Sequence, residues 1–340
     1  MLKRACKVVL SFMMCIPFIF PISATEYTTT TQNDYYVTQY TNEAGEIIRV
    51  MNRTATNSLS TMSLDYSHTK ELLQAMGMSE GAINNLSAED LALYARTQWM
   101  YSSTVYYKTD ADGIVTVVSE DEALAASIAE KQAARGIVGN GEGSLPNDDY
   151  MELTVTIADS GAGNGGIRIT CDATWKKMPL FRGVDALGAC AQNISITENT
   201  YSGYYQYNMI TRENDVILAE KDYDSSWTSI PQSKFQLDST TNGDFNGGGI
   251  TFSLPQDLTR GNVETKYTDF HVHMRYDGHV QQPTLPTYFN VVGSYTHARI
   301  SLDPNPSLSI DGNGIAGSIG FGPRINVDRR NAYFEAHYLP

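Results

Sequence analysis

From Ile167 to Trp175 the chain alternates without a fault: Ile167, Ile169, Cys171, Ala173 and Trp175 are apolar, and Arg168, Thr170, Asp172 and Thr174 are polar. Period-two alternation over this length specifies a strand with one buried face. After Trp175 the pattern breaks. Pro179 removes a backbone donor and Gly183 frees the dihedrals, so the spacing predicts that the chain leaves the sheet and returns at Cys190.

Further candidate strands follow Tyr150 at short intervals, among them 152–158, 204–211, 249–254, 267–276, 288–302 and 332–339, and no helix longer than a couple of turns interrupts them. Asn242-Gly243, Asp277-Gly278 and Asp311-Gly312 punctuate the series as turns. Many short strands with Gly and Pro turns imply a mainly β chain whose C-terminal part, residues 150–340, is an antiparallel β-sandwich or open barrel. A small α+β region, residues 25–138, precedes it, and the Gly-rich stretch 139–149 reads as a linker.

Within the α+β region, Tyr36 to Val50 reads as a hairpin about Asn42-Glu43-Ala44-Gly45. Leu72, Leu73 and Met76 recur at helical spacing and stop at Gly77, and Ser79 and Ser87 are N-caps for two more short helices. This unit, residues 68–100, reads as packing, with a peptide-binding module as the alternative. Asp112-Gly113 marks a second hairpin. Its Asp-x-Asp-Gly phrase lacks the remaining ligands of a calcium loop. Ser119 with Glu122 forms a capping-box signature for a helix that ends at Arg135-Gly136.

Residues 1–24 carry a basic start (Lys3, Arg4, Lys7), an apolar run and a small residue, Ala24, the pattern of a cleaved secretory signal. Removing them takes three of the 24 basic residues and none of the 38 acidic ones, leaving 21 against 38 and a net charge of −17. So acidic a chain is unsuited to nucleic acid, which demands a basic surface. No later segment is long and apolar enough for a stable transmembrane helix in the mature chain, so the expected location is extracellular. Cys171 and Cys190 remain after cleavage, and in an oxidising compartment they read as a disulfide worth about 3 kcal/mol in the chain-entropy model. Cys190 as a nucleophile is the competing reading.

Two constellations carry chemistry. Trp175, Lys176, Lys177 and Arg182 concentrate positive charge and an aromatic face in an acidic protein, a weak ligand-binding candidate for an anionic or carbohydrate-like molecule. The plainer reading puts Trp175 and Phe181 in the core and pairs Arg182 with Asp185. Asp269, His271 and His273 fall on one strand face, where two imidazoles reach a common zinc, with Asp277, His279 or His297 as further ligands. The plainer reading leaves the histidines on a solvated face. Gly161 to Gly166 matches G-x-G-x-x-G but runs into a strand rather than a helix, and Gly317-Ser318-Ile319-Gly320 is a near miss to a nucleophile elbow with nothing helical after it.

The pattern as a whole implies a secreted, non-enzymatic binding or interaction protein without a cofactor, whose 21 tyrosines and polar strand faces suit an extracellular ligand or surface partner. A metal-dependent hydrolase using His271 and His273 is the alternative. A β-type membrane-active toxin with a hairpin at 307–321 is the second.

Overall fold

A computed structural model describes residues 27–32, 35–53, 66–136, 148–160, 165–214, 216–222, 227–238, 245–298, 308–311, 318–321 and 327–339. The signal segment, residues 161–164 of the glycine-rich phrase and most of the linker lie outside these residues.

The first half contains β1 (Tyr27–Gln32), β2 (Tyr35–Thr41), β3 (Ile47–Arg53), α1 (Tyr66–Ala75), α2 (Glu80–Asn84), α3 (Ala88–Arg96), β4 (Trp99–Thr109), β5 (Val115–Val118) and α4 (Glu120–Ala134). Then come β6 (Asp149–Asp159), β7 (Gly166–Lys177), β8 (Val184–Gln192), β9 (Ile194–Ile196), β10 (Ser202–Glu213), β11 (Val216–Lys221), β12 (Thr228–Ser229) and β13 (Phe235–Asp238). The chain ends with β14 (Phe245–Ser253), β15 (Leu258–Arg260), β16 (Val263–Val280), β17 (Thr287–Ala298), β18 (Leu308–Asp311), β19 (Ser318–Phe321) and β20 (Val327–Tyr338).

The protein is mainly β and its strands pair antiparallel, as the turn-punctuated pattern implies. The large sheet runs β1-β2-β3-β4-β6-β7-β16-β10-β11, and the smaller one runs β13-β14-β8-β17-β20. The N-terminal hairpins and the C-terminal strands thus share one sheet, joined where β4 pairs with β6.

Alternation in β7 and β16 decides how the layers stack. Ile167, Ile169, Cys171, Ala173 and Trp175 join Phe270, Val272, Met274 and Tyr276 on the inner face of the large sheet. Leu187, Ala189 and Ala191 of β8, Val291 and Tyr295 of β17 and Phe334 of β20 meet them from the small sheet. Each fully buried Leu, Ile or Phe in this layer contributes about 1.5–3 kcal/mol. Strand β8 breaks the prediction that the chain stays out of the sheet until Cys190. Its Ala and Gly residues are poor strand formers, yet they let β14 approach closely: a Cβ on Gly247 would press into the Ala189 carbonyl and the Cys190 side chain.

The helices cover the other face of the large sheet. Leu72, Leu73, Met76, Ile83, Leu91 and Tyr94 pack on Tyr35 and Val37 of β2, Met51 of β3 and Met100 of β4. Gly77 ends α1 at φ +87°, a conformation an L side chain rarely adopts. Ser79 caps α2 by accepting from Ala82 N at 3.2 Å, and Ser87 caps α3 in a capping box that Asp90 completes. Ser119 caps α4 by accepting from Glu122 N at 3.2 Å. Both hairpins form as read, β2 with β3 and β4 with β5.

Cys171 and Cys190 correct the expected disulfide: both are buried free thiols. Cys171 belongs to the layer between the sheets, but alternation along β8 turns Cys190 to the opposite face of the small sheet, with Phe245 and Val292. Burial pushes the Cys171 thiol well up and the Cys190 thiol up to about 12, so neither is an activated nucleophile.

Candidate functional site

The polar face of β7 is not solvated. The helical layer covers it, and Arg168, Thr170, Asp172 and Thr174 are all buried. Register sets their partners on β16: Arg168 opposite Asp277, Thr170 opposite Arg275, Asp172 opposite His273 and Thr174 opposite His271. Two polar strand faces are thereby locked together under the helices.

Asp172 is the centre of this layer. Its Oδ1 accepts from His271 Nε2 at 3.1 Å and from His273 Nδ1 at 2.8 Å. Burial pushes the Asp172 carboxyl up, but the charge of His273 and the hydrogen bonds from both imidazoles outweigh it and hold the group well below the ordinary carboxylate value. The ionised carboxylate only accepts, so the ring nitrogens facing it carry protons. The Tyr204 ring stacks on His273 at 4.9 Å and meets His271 edge-on at 5.9 Å.

The histidines, expected on a solvated face, are only 1% and 2% exposed. The structure brings them together on Asp172 rather than on Asp269. A bulge in β16, where Asp269 and Phe270 lie opposite the single residue Tyr207 of β10, holds Asp269 at φ +49°, and its side chain meets α4. There it receives Ser127 Oγ at 3.0 Å, Asn208 Nδ2 at 2.9 Å and Lys131 Nζ at 3.0 Å. Among the described residues no three His, Cys, Asp or Glu side chains are arranged to hold a metal ion. Of the further ligands considered, Asp277 pairs with Arg168 at 2.7 Å, His279 meets Thr197 at 3.1 Å and His297 meets Asp185 at 3.0 Å.

A cavity of about 370 Å³ opens between α2, α4 and the outer face of β7 and β16. His271 and Thr174 line it from the sheet, Leu124, Ser127 and Lys131 from α4, and Ser79 from the start of α2. Its cations are already matched: Lys131 on Asp269, and Lys176 on Glu152 at 2.6 Å. Glu80 and Asp222 add exposed carboxylates to the lining. Among the lining residues one buried polar atom, His271 Nδ1, remains over. With His271 Nε2 committed to Asp172, Nδ1 has no hydrogen-bond partner, a deficit that costs about 1–3 kcal/mol.

The clamp over this face is ionic. Asp90 of α3 binds Arg168 Nη1 at 2.7 Å and also contacts Arg275, so both arginines tie the helix to the sheet. On the neighbouring helix, burial pushes the Glu130 carboxyl up to about 8 while its Oε1 accepts from Met178 N at 2.8 Å.

The basic excursion does not assemble as one site. Trp175 is fully buried, donates from Nε1 to the Tyr295 hydroxyl at 2.9 Å and lies 4.8 Å beneath the Arg330 guanidinium. Lys176 faces the cavity on the opposite side of β7. Arg182 sits beyond the strand, paired with Asp257 at 2.5 Å rather than with Asp185, and Phe181 is exposed rather than in the core. Sequence reasoning missed Asp172, Ser127 and Lys131. The available signal was charge complementarity between the polar registers of β7 and β16, which pairs Arg168 with Asp277 and Asp172 with His273.

No known protein family and no curated protein matches the chain. Among solved structures, it is similar to AvmM, which catalyses macrocyclization in alchivemycin A biosynthesis, at 9% identity and a TM-score of 0.23, over 52% of this chain and 82% of that one. The collagen-binding subdomain ACE19 of the Enterococcus faecalis surface protein ACE aligns at 9% identity and a TM-score of 0.22, over 58% of this chain and 98% of that one. The Clostridium perfringens NetB toxin aligns at 8% identity and a TM-score of 0.19, over 56% of this chain and 91% of that one. Likenesses of this size carry no functional assignment.

Proposed function

We propose that this is a secreted, non-enzymatic binding protein and that the cavity between α2, α4 and the large sheet receives its ligand. The observation that carries this reading is the cavity itself, which His271 and Thr174 of the sheet line together with Leu124, Ser127 and Lys131 of α4. The volume, about 370 Å³, falls among small-molecule sites of roughly 300–1,000 Å³.

The rigid setting supports binding rather than turnover. Asp172 holds His271 from behind, Arg168 and Arg275 hold α3 from below, and the matched lysines leave no free cation to stabilise a developing anion. Extracellular release rests on the N-terminal pattern ending at Ala24.

Two measurements test the reading. Thermal melting against a panel of sugars, amino acids, nucleosides and polyamines is expected to show a compound that raises Tm in the native chain and not in Leu124→Trp, which blocks the cavity from an exposed position on α4. An equal rise in both proteins, or none in either, refutes the site. N-terminal sequencing of exported protein is expected to begin at Thr25. Retention of Met1 in a cell-bound form refutes secretion.

A further inference from the structure

From the register of β17 and β20 we infer a further function: the residues that join these strands, 299–326, dock the chain on a lipid surface as an amphipathic hairpin. Of this segment only β18 and β19 lie within the described residues.

Strand β17 pairs with β20 without a break from Thr287 opposite Tyr338 to Ala298 opposite Val327. Carried on at the same register, residue 299 meets 326, and arms 299–311 and 314–326 close on Gly312-Asn313, a two-residue loop with glycine first as a type II′ turn requires. Alternation then sorts the side chains. Every Ile, Leu and Phe of the two arms, from Ile300 to Ile325, falls on one face, and every Ser, Asp, Asn and Arg falls on the other. A slip of one residue would mix the two sets. In the structure β18 pairs with β19 at another register, Leu308 opposite Phe321, where the β17–β20 line would set it opposite Gly317. That shift is even, so each set keeps its own face. The pair β18–β19 lies beside β8 and β17 of the small sheet, and burial of the apolar face in lipid is what draws the segment onto the β17–β20 line.

The prolines decide how the hairpin meets the bilayer. In β20 the backbone N–H groups of Asn331 and Tyr333 point away from β17, to the Tyr107 hydroxyl at 3.2 Å and to Glu46 at 2.9 Å. The same parity turns positions 304, 306 and 323 outward, and all three are proline. The hairpin therefore loses no bond of its own, while both its outer edges lack donors. A closed barrel needs those donors for the neighbouring hairpin. Blunted edges suit a single hairpin in the headgroup layer, its apolar face buried and its edges hydrated. Arg299 and Arg324 balance Asp303 and Asp311 on the polar face, and the whole chain is acidic, so the matching surface is zwitterionic rather than anionic.

The experiment places single cysteines, Ser309→Cys, Ile310→Cys, Ser318→Cys and Ile319→Cys, in the exported chain, labels each with the environment-sensitive dye NBD, and adds phosphatidylcholine vesicles that hold a self-quenched dye. Cys171 and Cys190 are buried and stay unlabelled. NBD emission is expected to rise at least two-fold at positions 310 and 319 and to stay unchanged at 309 and 318, with the vesicles keeping their contents. No rise anywhere, or an equal rise at all four positions, overturns the inference. An alternating rise with release of the contents overturns the surface placement in favour of a spanning barrel. Vesicle flotation of unlabelled protein guards against a label that disturbs folding: Ile310→Asp with Ile319→Asp is expected to lose at least five-fold in bound protein, and Ser309→Asp with Ser318→Asp to bind as the native chain does. Equal binding by both double variants overturns the inference.

Discussion

Replacing Glu130 by Gln separates burial from charge at the helix that walls the cavity. The Glu130 carboxyl ionises at an ordinary 4.5 in the unfolded chain and at about 8 in the folded one, because burial disfavours its charge more than Arg182 and the Met178 amide favour it. Below pH 4.5 both states are protonated and the group costs nothing. As pH rises from 4.5 to about 8 the unfolded chain releases a proton that the folded chain keeps, so stability falls across that window and levels off above it. At about 1.36 kcal/mol per pH unit the ceiling is about 5 kcal/mol. Glu130 keeps part of its surface in solvent, which reduces the expected loss to roughly 2–3 kcal/mol. Glutamine copies the neutral acid: its carbonyl still accepts from Met178 N, and it cannot ionise. Urea unfolding at pH 5 and pH 9 should therefore give near-equal stabilities for native protein and Glu130→Gln at pH 5, and a variant more stable by roughly 2–3 kcal/mol at pH 9. A variant equally stable or weaker at pH 9 would refute the assignment of a buried, neutral Glu130.

Asp172→Asn removes the charge on which two buried imidazoles converge and is expected to cost about 3–5 kcal/mol in urea unfolding. Because the Asp172 carboxyl is held below its ordinary value, its contribution is present above about pH 4 and fades as pH falls through the folded value, an acid dependence the variant should lose. Thiol titration should find Cys171 and Cys190 unreactive in the native state and both reactive in denaturant; an oxidised pair would contradict their placement on different faces. Arg182→Ala should leave ligand binding unchanged, since Arg182 is tied to Asp257 beyond the strand end rather than to the cavity. Loss of binding in that variant would return the site to the basic loop.

Local rules made much of the frame legible. The alternation of β7, the caps at Ser79, Ser87 and Ser119, the stop at Gly77 and the Asp112-Gly113 turn each depend on a few neighbouring residues and a fixed period. Strand β8 was not legible, because Ala186, Gly188, Ala189 and Ala191 have low intrinsic strand preference and are held by β14 and β17 on either side. The histidine site was half legible. Spacing put His271 and His273 on one face, but an alternating polar face reads as solvated unless another layer covers it. That layer, α1 to α4, comes from far upstream in the chain, and only the fold shows that it buries Asp172. The cysteine pairing failed for a related reason: spacing says nothing about which face of β8 Cys190 occupies.

Ligand binding in the cavity between α2, α4 and the large sheet is tested most directly by amide NMR of the native protein, titrated with the compound that raises its Tm. Shifts centred on Ser127, Lys131, Thr174 and His271, which line the cavity, are expected. Shifts centred on Lys177 and Arg182 instead, or none at saturating compound, would contradict binding there.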